Sequence, residues 1–173
     1  MELLIPGLAL VALMVWASTR IKRTAADAFA AEVVETPEFT ISKPEGWLSI
    51  AAPALPFEAY TKDYAPPPNE NLRMGTATVE VSGESLESAA EAAATGAEIV
   101  EDYREKVGDV HYRVMTLNRL DGDLEFMELV KLAALDSKVY TFRIKALADA
   151  ASDADLVGFR RGIQGMLDSF ELK

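Results

Sequence analysis

The stretch from Glu98 to Ala148 leaves this chain little choice of architecture. Four segments suited to strands, Glu98 to Lys106, Val110 to Arg119, Leu124 to Leu132 and Val139 to Ala148, are parted by Gly108-Asp109, Asp121-Gly122 and Asp136-Ser137. Such dipeptides reverse a chain tightly, because glycine and aspartate tolerate the backbone angles that short hairpin loops demand. An antiparallel meander follows. In its last segment Tyr140, Phe142, Ile144 and Ala146 share one face, and Arg143 and Lys145 the other. The third segment is apolar on both sides, with Leu124, Phe126, Val130 and Leu132 against Met127 and Leu129. It is expected to be a central strand covered on both faces.

Further strands precede the meander. Phe39 to Ser42 alternates, Lys43-Pro44-Glu45-Gly46 turns the chain, and Trp47 to Ile50 resumes extended structure. Phe57 to Tyr60 and Arg73 to Val81 are two more, separated by a loop containing Pro66, Pro67 and Pro68, which favours polyproline II. Two helices can cover such a sheet. Ser85 caps the first, whose face Leu86, Ala89, Ala90 and Ala93 is small, and Gly96 ends it. The second is capped by Asp153 or Asp155 and carries the stripe Leu156, Phe159, Ile163, Met166, Leu167 and Phe170. Gly158 and Gly162 each cost that helix about 1 kcal/mol of propensity, so close packing on the sheet is expected there.

The first residues read differently. Leu3 to Ala17 is uncharged and apolar, and Arg20, Lys22 and Arg23 follow it. A helix over residues 1–19 is long enough to be read as a transmembrane or signal-anchor element, with membrane lipid as partner through residues 3–19. Positive charge after the run predicts a single-pass protein of a bacterial inner membrane with its C-terminal domain in the cytoplasm. A cleaved signal, leaving a periplasmic domain, and a buried helix are the alternatives, and the missing basic n-region disfavours the first. Residues 20–36 then form a juxtamembrane linker and residues 37–173 the domain. Residues 1–31 carry a net +1, so the rest of this −11 chain carries −12. That charge argues against nucleic acid as a partner.

Phe39-Thr-Ile-Ser-Lys-Pro-Glu-Gly-Trp47, Asp168-Ser-Phe170 and the order of elements between them resemble the PsbP-like α/β/α sandwich superfamily, whose small bacterial members have uncertain roles. The expected fold class is therefore α+β: an N-terminal transmembrane helix followed by a PsbP-like α/β/α sandwich with an antiparallel sheet. Members of the superfamily include an extrinsic photosystem subunit and a nuclear-transport factor that binds a small GTPase. The resemblance implies an accessory or binding role, and no functional residue is carried over.

The chemistry-bearing residues agree with that reading. With no cysteine, disulfides, thiolate catalysis and Cys-ligated metals are excluded, and one histidine cannot build a multi-His metal site. His111 lies on a strand without a G-x-S-x-G motif and reads as a structural or surface side chain. Asp121-Gly-Asp-Leu-Glu125 offers oxygens but reads as a turn, and Glu98, Glu101 and Asp102 read as a solvated patch. No metal, cofactor or catalytic residue is assigned, and the protein is read as a non-enzyme. Trp47 reads first as a core or rim anchor after the Lys43–Gly46 turn; the functional reading places it in a recognition edge where Tyr60 and Tyr64 meet Pro66, Pro67 and Pro68. Arg160 and Arg161 read first as exposed helix decoration and second as a smaller contact for an acidic group. The functional expectation is a membrane-anchored accessory protein recognising an unidentified protein partner. A noncanonical hydrolase and a structural envelope component are the alternatives.

Overall fold

The structure is a computed structural model that describes residue 14 and residues 26–51, 53–149 and 157–173. Its strands are β1 (Glu32–Glu35), β2 (Phe39–Lys43), β3 (Trp47–Ser49), β4 (Phe57–Thr61), β5 (Gly75–Ser82), β6 (Glu98–Val107), β7 (Val110–Asp121), β8 (Leu124–Leu135), β9 (Lys138–Leu147) and β10 (Glu171–Leu172). Helix α1 spans Leu86–Ala94 and α2 spans Val157–Asp168. A seven-stranded antiparallel sheet runs in the order β3-β4-β5-β9-β8-β7-β6, and a small sheet runs β1-β2-β10.

The hairpin turns supply the geometry the sequence asks for. Gly108 and Gly122 take φ of 60° and 62° at the first position of two-residue loops. Asp136 and Ser137 take 50° and 64° in the third loop, which needs positive φ at both positions. Strand β8 lies between β9 and β7 and is covered on both faces, as its apolar pattern requires.

On one face α1 sets Ala89, Ala90 and Ala93 against Met115, Leu117, Val130 and Leu132. Ser85 caps this helix by accepting from the Ser88 N–H at 3.1 Å. On the other face Ile163, Met166 and Leu167 of α2 join β2 and β10 over Phe142, Ile144, Tyr112 and Val114. Phe170 is the hub of that layer, with ring centroids 5.8 Å from Phe39, 5.1 Å from Phe142 and 6.3 Å from Tyr112. Thus the first and last family-like motifs meet in one core. The Tyr112 hydroxyl accepts from the Leu172 N–H at 2.8 Å and so fastens β10.

Strand β1 falls where the sequence suggested linker, and it pairs with β2 from Glu32↔Lys43 to Glu35↔Thr40. The buried Lys43 amine donates to the carbonyls of Ala30 and Trp47, tying residues 29–31 to the β2–β3 turn. Burial pushes its pKa down, against the opposing pull of Glu32.

The expected membrane anchor requires correction. No helix among the described residues is long and apolar enough to cross a membrane. The longest described helix, α2, has 12 residues, about 18 Å of rise against a hydrocarbon core of about 30 Å. Apart from Met14, residues 1–25 lie outside the described residues, as do Asp153, Asp155 and Leu156 of the expected α2 start. The fold of the described residues is therefore the α+β sandwich, with no transmembrane element among them. The lipid contact through residues 3–19, the inner-membrane placement and its cytoplasmic orientation depended on the anchor and fall with it; the periplasmic alternative rested on a cleaved signal, which lies outside the described residues.

Candidate functional site

Alternation along β3 and β4 separates the expected recognition residues at once. Trp47 is opposite Thr61, while Leu48 is opposite Tyr60, so Trp47 and Tyr60 project to opposite faces of the sheet. Trp47 is buried and stacks on Phe159 of α2, with centroids 6.3 Å apart and planes 7° from parallel. Its ring packs so close to β5 that a Cβ on Gly75 would lie 2.9 Å from it. It still walls a cleft of about 250 Å³ with Pro44, Gly158, Phe159 and Gly162. The two α2 glycines open this cleft instead of packing on the sheet: a Cβ on Gly162 would meet only Pro44, and one on Gly158 would meet nothing within 4 Å.

Tyr60 and Tyr64 come together around a residue the sequence did not single out. The Arg73 guanidinium carbon sits 4.5 Å from the Tyr60 ring centre and 3.9 Å from that of Tyr64. Its Nη1 donates to the carbonyls of Thr61 at 3.0 Å and Lys62 at 2.6 Å. Cation–π attraction and those bonds hold an amphipathic ring, 49% exposed at Tyr64, in a set position. The available signal was an arginine at the far end of a proline loop flanked by two tyrosines.

The loop between them closes on itself. Ala65 N–H donates to Leu72 O, Asn69 N–H to Pro66 O and Leu72 N–H to Asn69 O, and the Pro67–Pro68 peptide is cis. Ala65 is buried with Phe126 and Leu147, which seats the loop on the end of β8 and β9. Pro66 and Pro67 thereby wall a second cleft of about 410 Å³, floored by Leu124, Leu147 and Met74, with Asp123, Glu125 and Asp149 at its margin. Pro68 is exposed beside it. Arg160 and Arg161 line a separate shallow depression on α2 with Gln164 and Asp168.

The remaining polar candidates have structural settings. His111 is exposed at the end of the β6–β7 hairpin, opposite Lys106. Asp121 pairs with Lys145 at 3.3 Å. Asp102 is held by two bonds from Arg113, at 3.0 and 2.7 Å, and these chiefly lower its pKa, with the charges of Arg113 and Arg104 adding to them against desolvation. Glu98 and Glu101 are exposed on β6. Among the described residues no group of three or more His, Asp or Glu is placed to hold a metal ion.

The layers, strand order and terminal helix define a PsbP-like α/β/α sandwich. The solution structure of cyanobacterial PsbP (CyanoP) from Synechocystis sp. PCC 6803 superposes with a TM-score of 0.56 at 14% identity, over 84% of this chain and 94% of that one. LpqN of Mycobacterium tuberculosis, involved in cell envelope biogenesis, superposes with a TM-score of 0.58 at 11% identity, over 83% and 91%. Identities this low establish the shared fold alone. No family model matches the sequence. No curated protein matches it either.

Proposed function

We propose that this domain is an accessory binding module that recognises a protein partner at the rim formed by Tyr60, Arg73, Tyr64 and the Pro66–Pro68 loop. One observation carries the reading: Arg73 braces Tyr64 in a half-exposed position on the loop that walls an apolar-floored cleft. A rigid aromatic beside a concave apolar surface is the usual anchor of a protein interface, because little side-chain entropy is lost on binding. Carboxylates at the margin favour a partner segment carrying Lys or Arg next to apolar side chains. Trp47 acts behind this surface as a core support, and Arg160 and Arg161 stand apart from it. The test is gentle extraction and partner identification with the intact protein, Tyr64→Ala and Pro67→Ala, each checked for folding. Tyr64→Ala is expected to lose the partner, and unchanged assembly in both variants would reject the reading.

A second reading draws on LpqN, which shares the fold and is involved in cell envelope biogenesis. A role in envelope assembly would use the same surface. Loss of the protein would then alter envelope permeability, and the Tyr64→Ala variant would fail to restore it.

A further inference from the structure

The two edges of the large sheet are unlike. One is β3, of three residues, and the other is β6, of ten. Among the described residues no strand lies along the outer side of β6. Three large apolar side chains stand exposed on it, Ile99 at 50%, Val100 at 54% and Tyr103 at 44%. A long edge with apolar side chains is a template for another strand unless something blunts it.

The hairpin geometry shows which backbone groups are open. Val107 and Val110 close a two-residue loop, and residues flanking such a loop exchange both backbone hydrogen bonds. Hydrogen-bonded pairs then alternate back along the strand to the irregularity between Ile99 and Glu101. The N–H and C=O groups of Asp102, Arg104 and Lys106 consequently face outward.

Charge decides what fits there. On the α1 side, Asp102 is paired with Arg113 and Arg104 with Glu87. On the α2 side, Glu101, Tyr103 and Glu105 are opposite Thr116, Val114 and Tyr112, and among the described residues only Glu105 has a cation, the buried Lys131 at 2.8 Å. Desolvation raises the Tyr103 pKa first, and Glu105, Asp168 and Glu101 push it further up, so negative potential collects around this ring. A second copy of the chain would be repelled. Self-pairing centred on Tyr103 sets Glu101 against Glu105 twice; it also sets Asp102 against Arg104, but those two are already engaged by Arg113 and Glu87, and β6 as a whole holds four carboxylates against two cations.

We infer that the β6 edge is a strand-addition site for an extended protein segment with Lys or Arg at alternate positions. The added strand takes its main-chain hydrogen bonds from Asp102, Arg104 and Lys106. Its basic side chains lie over Glu101, Tyr103 and Glu105. This surface is on the sheet edge away from β3 and β4 and does not depend on the Tyr64 rim.

The probe is a short synthetic peptide alternating lysine with valine, and its glutamate counterpart is the control. Amide hydrogen exchange is followed on the full chain by NMR. The lysine peptide is expected to slow exchange at Asp102, Arg104 and Lys106, and the glutamate peptide to leave it unchanged. Lys106→Pro removes an outward N–H and no ladder bond, so the fold is kept while peptide affinity falls by about tenfold. Lys106→Gln loses the same charge but keeps the N–H, and it should bind at least as well as the parent. Glu101→Lys should weaken binding and flatten its loss with salt, since one attractive charge is replaced by a repelling one. Protection by both peptides, full binding by a folded Lys106→Pro, or no protection at all would overturn the inference. So would concentration-dependent protection of the same amides without peptide, which would assign the edge to a second copy.

Discussion

Arg119 and Glu128 lock the last turn of α1 to the middle of the sheet. The Arg119 Nε donates to Glu128 Oε1 at 2.9 Å, while its Nη1 and Nη2 donate to the carbonyls of Thr95 and Ala93 at 2.7 and 2.8 Å. A cation at a helix C-terminus satisfies orphan carbonyls and opposes the dipole. Glu128 is buried and takes a second guanidinium, Arg143, at 2.7 Å. An alanine-faced helix of nine residues buries little apolar area, so these bonds do what leucines would do elsewhere. Glu128→Ala is expected to lower the unfolding free energy by about 2–4 kcal/mol, the arginines' partial water access softening the loss. Urea denaturation checks it, and α1 amides should lose exchange protection ahead of those of β8.

Tyr112→Phe keeps the ring against Phe170 and removes only the acceptor for the Leu172 N–H. Leaving that donor unpaired in a buried setting costs about 1–3 kcal/mol. Exchange at Leu172 should rise with little change at Val114. Equal loosening of both would show that the hydroxyl has a wider role.

Gly75→Ala would drive a methyl to 2.9 Å from the Trp47 ring. Neither neighbour can yield: the ring is held by its stack on Phe159, and the Thr61 methyl, 3.2 Å from the same Cβ, by the hydroxyl that accepts from the Gly75 N–H and donates to Asp63 O. Overpacking of this kind costs about 1–3 kcal/mol. The indole N–H resonance of Trp47 should shift, and thermal denaturation should report the lost stability.

The lowered pKa of Asp102 gives a signed pH dependence. A carboxyl that ionises more readily in the folded chain adds stability above its unfolded value of 3.8, and that stability is lost as pH falls through the lowered folded value. Asp102→Asn should therefore flatten the stability curve from roughly pH 4 downward. At neutral pH the variant should already be less stable than the parent. A parallel, merely displaced curve would show that the Arg113 pairing carries no pH linkage.

The meander was legible because its signals are local: period-two alternation, two-residue turns, and a capped helix beginning at Ser85. β1 and β10 were not, since Glu32-Val-Val-Glu35 and Glu171-Leu172 are strands only through long-range pairing with β2. The candidate site was half legible. Tyr60, Tyr64 and the prolines announced a rim, but Arg73 could be placed between two rings only by the strand register and loop closure. Trp47 was drawn toward that rim by nearness in sequence, and alternation across β3 sends it to the core. Gly158 and Gly162 suggested close packing, and only the third dimension shows that their bare faces border a cleft.

Site-specific photo-crosslinking in intact cells separates recognition at the Tyr64 rim from diffuse surface contact, with a benzophenone side chain replacing Tyr64 or, as a control on the exposed face of α1, Glu91. Recognition at the Tyr64 rim predicts that position 64 captures one partner protein in high yield and position 91 does not. Combined Asp123→Lys and Glu125→Lys substitutions should abolish that capture in a protein that still folds. Equal capture at positions 64 and 91, or capture at 64 that survives reversal of the two margin charges, would contradict it.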